Sequence, residues 1–302
     1  MPAWGRVPVV RRECRQRLET MAPFICYKYR PIGNVKLKSR AADIIERNQL
    51  YYAAPTQFND PYDCIPPVKL PDSDADLERL FKPTFEAIKE KHGIGHDIDF
   101  AQLIPEMRKD SYLISESTME NGIAVLCMSL TANNPQQWAY YGDMYAGICI
   151  GIDMSFLPDE EHVEVTYQDE RVTVDLSSVV AAEMKAKKDF LRAIATKHSG
   201  WQHEKEVRFF KTQQDPYPFP PKALKEVIFG HRCDDHAIDF IEMACSRSDA
   251  DPTFGYVLPN EKTFALDVRK GLTIGQVKDG LAESRSRKKD VVSAIPSHGG
   301  RR

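Results

Sequence analysis

The sequence lacks the signatures of several common classes of protein. It contains no apolar run near the roughly 18 residues that a membrane span needs, and the longest, from Ile123 to Leu130, has only about eight. No Gly-x-Gly-x-x-Gly fingerprint, Walker phosphate loop or Gly-x-Ser-x-Gly elbow occurs. We therefore do not predict a membrane protein. We also predict neither a Rossmann-type or Walker-type nucleotide-binding fold nor a hydrolase with a nucleophile elbow.

Paired cysteine motifs are also missing. The seven cysteines are odd in number, scattered along the chain and never spaced Cys-x-x-Cys, which argues against a disulfide framework and a zinc ribbon. The segment HRCDDH, around Cys233, lacks the paired spacing of a structural zinc site. We predict reduced cysteines, a cytoplasmic protein and no metal site.

Neither a strong net charge nor a signal-peptide core is present. The formal net charge is -3, so the composition does not indicate binding to nucleic acid. Residues 1–20 are rich in arginine but lack the apolar segment of a secretory signal. We predict a basic disordered leader over residues 1–20, with Met21 as an alternative start, and a basic disordered tail over residues 275–302. Residues 21–274 would then form a single domain.

What the sequence does contain is an irregular alternation of short strands and longer helices. The apolar segments IAVLCMSL and AGICIGID are too short for core helices and are typical of buried strands. Other segments show helical spacing of apolar residues, but no regular strand-helix-strand units recur. This order predicts an α+β fold with mainly antiparallel sheets and helical insertions.

The segment GWQHEKEVRFF holds two glutamates and an arginine at alternate positions. Side chains alternate faces along a strand, so we expect Glu204, Glu206 and Arg208 on one exposed face. Val207 and Phe209 would then lie on the core face. Paired carboxylates can stabilise an oxocarbenium-like centre, but Arg208 can equally hold Glu206 in a structural ion pair. Both interpretations are open at this point.

Two further segments carry candidate binding residues. FNDPYD places Asn59, Asp60 and Asp63 in a loop after a strand, where binding residues are common, although Asn59 or Asp60 can equally form an Asx turn. WAYYGD contains Trp138 and Tyr141, whose rings can stack on a nicotinamide, an adenine or a sugar. The same rings can pack a helix onto a sheet, and spacing alone does not choose between these uses.

Several of these segments occur together in a fixed order. YKYRP, LYYAAPTQFNDPYDC, NPQQWAYYGDMYAGICIGID and WQHEKEVRFF follow one another along the chain. In this combination the sequence resembles the DUF2971 family of uncharacterised, mainly bacterial proteins, from about Ile25 to Arg232. The resemblance implies a relationship but no established activity.

A more distant similarity links the sequence to the ADP-ribosyltransferase superfamily, whose members use an early basic residue and a late pair of glutamates. The similarity implies that Arg30 or Lys28 holds a phosphate or ribose of NAD and that Tyr52, or an aromatic residue near Trp138, stacks on nicotinamide. In that scheme Glu206 stabilises the ribosyl oxocarbenium and Glu204 orients the acceptor. The implied catalytic residues are therefore Glu206, Glu204, Arg30 and Tyr52.

The same similarity implies a split pair of small antiparallel sheets. NAD would be a substrate, and no cofactor would be tightly bound. The residues implied for binding NAD are Lys28, Asn59, Asp60, Trp138 and Tyr141.

The leading hypothesis for function is glycosidic chemistry on NAD. The protein would transfer ADP-ribose to a macromolecular acceptor or hydrolyse NAD, as a toxin or phage-defence effector. One alternative is a non-catalytic binding or sensor module, in which the acids and Arg208 form structural ion pairs. Another is a metal-dependent nuclease that uses Asp60, Asp63, Glu204 and Glu206. The sequence makes no prediction of the oligomeric state.

Overall fold

The computed structural model describes residues 22–93, 98–157, 162–177 and 184–293. The predicted leader, Met21 and the last part of the predicted tail, residues 294–302, lie outside the described residues. The described residues form two compact units that interleave along the chain. The first unit contains the described residues within 51–127 and 159–217, and the second contains those within 21–50, 128–158 and 218–302.

The strands and helices are labelled here in chain order. The strands are β1 Ile25–Arg30, β2 Gln49–Tyr52, β3 Val68–Lys69, β4 Ala124–Ser129, β5 Ile148–Asp153, β6 His162–Glu164, β7 Thr166–Tyr167, β8 Val174–Asp175, β9 Thr196–Lys197, β10 Glu206–Lys211, β11 Asp215–Pro218, β12 Leu224–Phe229, β13 Thr253–Pro259 and β14 Leu266–Leu272. The α-helices are α1 Val35–Glu46, α2 Asp74–His92, α3 Ile104–Lys109, α4 Ser111–Gly122, α5 Pro135–Tyr140, α6 Met184–Ile194, α7 Asp235–Ser246 and α8 Ile274–Ser293. Short 3-10 helices cover Pro55–Gln57, Phe100–Gln102, Met154–Phe156, Ser199–Glu204 and Pro221–Ala223.

The second unit contains a mostly antiparallel sheet in the order β14-β13-β12-β5-β1. β5 pairs antiparallel with β1 and with β12, and β13 pairs antiparallel with β14, whereas β12 and β13 run parallel. Every residue of β5 is buried, as predicted for the segment AGICIGID. Tyr27, Tyr29 and Trp138 lie together in the core of this unit.

The first unit combines shorter strands with helices. β10 pairs antiparallel with β6, while β3 with β8 and β7 with β9 form short parallel pairs. Its core includes Met119 of α4, Val125 of β4 and Ile194 of α6, all buried. The predicted α+β class with mainly antiparallel sheets is therefore confirmed.

The segment GWQHEKEVRFF is not one continuous strand, so this prediction is wrong. Its first half forms the 3-10 helix Ser199–Glu204, and Lys205 then adopts a left-handed conformation with φ 45° before β10 begins. Glu206, Val207 and Arg208 are all buried. Both faces of this strand are therefore covered, and the exposed acidic face that we expected does not exist.

Part of the predicted tail is helical. The sequence predicts disorder from residue 275, whereas α8 covers Ile274–Ser293. Ile274, Val277 and Leu281 recur at helical spacing and are buried, which packs the start of α8 into the second unit. The segment after Leu281 is rich in charged residues, so the composition of the whole tail predicts disorder in spite of this short apolar stripe.

The single domain over residues 21–274 stays a prediction, because two interleaved compact units do not decide whether either folds alone. Among the described residues, no helix is both long and apolar enough to cross a membrane.

Candidate functional site

The loop after the 3-10 helix Pro55–Gln57 carries an aspartate into the interior of the first unit. Asp60 makes an Asx turn, because the Tyr62 N–H donates to Asp60 Oδ1 at 2.9 Å. The Asp63 N–H donates to the Asp60 carbonyl oxygen at 3.1 Å. Asp63 is buried at the end of this turn. The Asx turn considered for FNDPYD is thus present, and it positions the buried carboxylate of Asp63.

Lys197 is the centre of a buried cluster of charged side chains. It lies in β9, whose parallel pairing sets it opposite Tyr167 of β7. Its Nζ lies 3.0 Å from Asp63 Oδ2, 2.6 Å from Glu204 Oε2 and 3.0 Å from Glu206 Oε2. An ammonium group has three protons, so each proton can be donated to a different carboxylate.

Arg208 supplies the second cation of this cluster. Glu206 and Arg208 are two residues apart in β10 and project from the same face, so Arg208 Nε donates to Glu206 Oε1 at 2.8 Å. Arg208 Nη2 donates to Asp63 Oδ1 at 2.6 Å, and Nη1 donates to Cys64 Sγ and to the Ile194 carbonyl oxygen. The side chain of Arg208 is fully buried. These bonds offset the desolvation of its guanidinium group.

The charges of the cluster keep Glu206 and Lys197 ionised in spite of burial. Burial alone would raise the pKa of Glu206, but the charges of Arg208 and Lys197 and the hydrogen bonds from Arg208 hold that pKa well below its ordinary value. Burial alone would lower the pKa of Lys197, but Glu206, Asp63 and Glu204 raise it well above its ordinary value. Three carboxylates face two cations, so one negative charge is in excess.

A pocket of about 420 Å³ lies beside the cluster within the first unit. Lys197 and Asp63 line this pocket and also belong to the cluster. Trp201 forms part of the wall, where its ring centroid lies 5.2 Å from Lys197 Nζ and its indole N–H donates to Asp60 Oδ2 at 2.9 Å. Side chains three residues apart eclipse in a 3-10 helix, so Trp201 and Glu204 both reach Lys197.

Tyr167 holds the first residue of β10 in this arrangement. The Glu206 N–H donates to the Tyr167 hydroxyl oxygen at 2.8 Å. Burial, with the negative charges of Glu206 and Glu204, raises the pKa of Tyr167 to about 12. The phenol therefore stays protonated at neutral pH and acts as a neutral hydrogen-bonding group.

Four of the residues predicted for a site come together in the first unit, namely Asp60, Asp63, Glu204 and Glu206. Glu204 and Glu206 belong to the cluster, and Asp60 lines the pocket. Asn59, on the same loop, is exposed. Tyr52 is buried in β2 and does not line the pocket. The catalytic roles assigned to these residues stay predictions.

The other predicted site residues belong to the second unit. Lys28 and Arg30 lie in β1, and burial lowers the pKa of the Arg30 guanidinium to about 10. Trp138 is fully buried in α5, and its indole N–H donates to the Ala132 carbonyl oxygen at 2.8 Å. Tyr141 is partly buried against the same core. Trp138 therefore packs α5 onto the core of the second unit, which is one of the two uses that the sequence left open for its ring, the other being stacking on a ligand.

The sequence reasoning missed two residues that shape the site, Lys197 and Trp201. A usable signal existed for Trp201, which precedes Glu204 by one turn of a 3-10 helix within the segment already singled out. Nothing local marks Lys197, because it stands in a two-residue strand after a helix and a lysine there is ordinarily solvated.

The carboxylates of the cluster are bonded to cationic side chains of the protein. Among the described residues, no group of three or more His, Cys, Asp or Glu side chains is placed to hold a metal ion. Asp63, Glu204 and Glu206 instead bond to Lys197 or Arg208.

The fold and the site describe an α+β protein with a buried ion cluster beside a pocket. Residues 137–209 match the sequence model of the DUF2971 family, described as a protein of unknown function. This confirms the resemblance to that family over a segment that contains Lys197, Trp201, Glu204, Glu206 and Arg208. No curated protein and no solved structure matches the chain.

Proposed function

We propose that the pocket of the first unit binds the nicotinamide end of NAD and that the protein cleaves the N-glycosidic bond. The observation that carries the proposal is the shared position of Lys197 and Asp63, which line the pocket and belong to the cluster. The cluster holds one excess negative charge beside the pocket. Such a charge stabilises the positive charge that develops on ribose as nicotinamide leaves.

The proposed reaction breaks the bond between ribose C1′ and the pyridinium nitrogen. The electron pair of that bond goes to the ring, which leaves as neutral nicotinamide, and water or a macromolecular acceptor attacks C1′ and releases a proton to solvent. Both carboxylate oxygens of Asp63 are held by Lys197 and Arg208. Asp63 therefore acts through its charge and not as a nucleophile.

The two glutamates take an indirect part in this proposal. Glu204 and Glu206 bond to Lys197 and do not line the pocket. Their negative charges act on the pocket electrostatically, and their hydrogen bonds fix the position of the Lys197 ammonium group on the pocket wall. We assign to Trp201, which lines the pocket, the stacking role that the similarity implied for Tyr52 or an aromatic residue near Trp138.

Following nicotinamide release from NAD⁺ by the purified protein tests the proposal. The wild-type protein should release nicotinamide, and Asp60→Asn should slow release by roughly tenfold or more, because a carboxylate on the pocket wall is lost. Asp175→Asn is the matched control, since Asp175 belongs to the same unit and does not line the pocket. No release by the folded wild-type protein would exclude the proposal. Consumption of NAD would suit a toxin or a phage-defence effector.

One observation favours a second candidate, a non-catalytic binding or sensor module. Every carboxylate of the cluster is bonded to Lys197 or Arg208, which is the arrangement of a structural ion-pair network. A sensor of this kind would be stabilised by NAD without releasing nicotinamide. Thermal melting with NAD⁺, run beside the release assay, separates the two candidates.

A further inference from the structure

The lining of the first-unit pocket is richer in negative than in positive charge. Four carboxylates line the pocket, with three basic side chains, those of Arg171, Lys197 and His198. The carboxylates are those of Asp60, Asp63, Asp169 and Glu170. The potential inside such a pocket favours a cation over an anion.

The aromatic rings of the pocket already hold cations of the protein. Lys197 Nζ lies 5.2 Å from the ring centroid of Trp201, and the Arg171 guanidinium lies 5.1 Å from that of Tyr62. The face of an aromatic ring attracts positive charge. Rings and carboxylates therefore favour the same kind of ligand, a group that carries positive charge.

Neither Lys197 nor Arg171 is well placed to bind a phosphate. Lys197 donates to three carboxylates, and Arg171 donates to the Ile65 carbonyl oxygen while it lies over Tyr62. A phosphate that entered would meet the carboxylates of the lining without a matching cation. Like charges at short range repel.

The size of the pocket agrees with a ligand smaller than a dinucleotide. Its volume of about 420 Å³ lies near the lower end of the roughly 300–1,000 Å³ of ligand pockets. A pyridinium ring with one ribose is a ligand for the lower part of that range.

We infer that the pocket takes the cationic pyridinium nucleoside part of its substrate and disfavours phosphate inside it, with nicotinamide riboside as the model ligand. The inference rests on the proposed function, because it names the substrate class for the same site. For NAD itself, the diphosphate would have to stay outside the pocket.

Titration calorimetry at low salt tests the charge preference directly. The probes are 1-methylnicotinamide, which is a cation, nicotinamide, which is its neutral counterpart, nicotinamide riboside and nicotinamide mononucleotide. We expect 1-methylnicotinamide to bind about tenfold more tightly than nicotinamide, and the riboside about tenfold more tightly than the mononucleotide. Added salt should reduce both ratios, because it screens the charges.

The double variant Asp169→Asn with Glu170→Gln removes two carboxylates of the lining. We expect it to bring the affinity for the mononucleotide close to that for the riboside, whereas Asp175→Asn should leave the wild-type ratio unchanged. Equal binding of 1-methylnicotinamide and nicotinamide, tighter binding of the mononucleotide, or no binding of any probe would overturn the inference.

Cleavage assays keep this inference separate from the proposed function. Faster cleavage of NAD⁺ than of the riboside would overturn the inference and leave the glycosidic activity in place. Selective binding of the cationic probes without any cleavage would overturn the proposed activity and leave the inference in place.

Discussion

Arg208 is the residue on which the buried cluster depends most. It is fully buried and bonds to both Glu206 and Asp63. We predict that Arg208→Met lowers the free energy of unfolding by about 3–5 kcal/mol, because it leaves buried carboxylates with one cation fewer. Urea unfolding of the two proteins measures the difference.

The control for Arg208 is an ion pair at the surface. Lys69 pairs with Asp175 at 3.3 Å, and both side chains are exposed. Lys69→Met should change the free energy of unfolding by less than about 1 kcal/mol. Equal losses in the Arg208 and Lys69 variants would mean that the buried cluster does not stabilise the fold.

Glu206 makes stability depend on acid pH. Its pKa in the folded protein is held below the ordinary value of 4.5, so its contribution is fully present above that value and is lost as pH falls below it. We predict that Glu206→Gln costs most near about pH 7 and progressively less below about pH 4.5. Urea unfolding of both proteins across this range gives the difference, and a cost that is constant with pH would contradict the prediction.

At the scale of elements, the turn between the 3-10 helix and β10 brings Glu204 and Glu206 to the same lysine. Lys205 turns the chain in a left-handed conformation with φ 45°, which only glycine adopts without strain. We predict that Lys205→Gly changes stability by less than about 1 kcal/mol, whereas the β-branched variant Lys205→Val costs about 1–2 kcal/mol. Thermal unfolding compares the two, and equal tolerance would show that the turn is not left-handed.

Helix α8 gives a second prediction at this scale. Leu281 is fully buried within a segment whose composition predicts disorder. We predict that Leu281→Ala lowers the free energy of unfolding by about 2–5 kcal/mol. Ser286→Ala, on an exposed position of the same helix, is the matched control and should be nearly neutral. If both variants behave alike, the start of this helix is not packed.

The elements also show what sequence reasoning can reach. Continuous apolar runs predicted β4 and β5, because a strand covered on both faces has no polar alternation. The same rule explains the error at β10. Glu206 and Arg208 read as a solvated face, since a charged residue is ordinarily exposed. Only tertiary pairing with Lys197 and Asp63 allows their burial, and local patterns do not contain that pairing.

At the scale of the whole molecule, the predicted site divides between the two compact units. Glu204, Glu206 and Asp60 belong to the first unit, and Arg30 and Trp138 to the second. The sequence order of motifs could not show this division, because each unit is assembled from separate segments. Lys197 and Trp201 complete the candidate site of the first unit. The reaction that the sequence placed on an exposed strand face is therefore proposed to occur in the pocket that these two residues line.

The central claim is that NAD reacts in the pocket beside Lys197. The most direct measurement is the rate of nicotinamide release by Trp201→Leu and by Tyr140→Leu, each shown to be folded by circular dichroism. Trp201 lines the pocket, whereas Tyr140 is an exposed aromatic residue of the second unit. We predict a loss of about tenfold or more for Trp201→Leu and the wild-type rate for Tyr140→Leu. A wild-type rate for Trp201→Leu would contradict it.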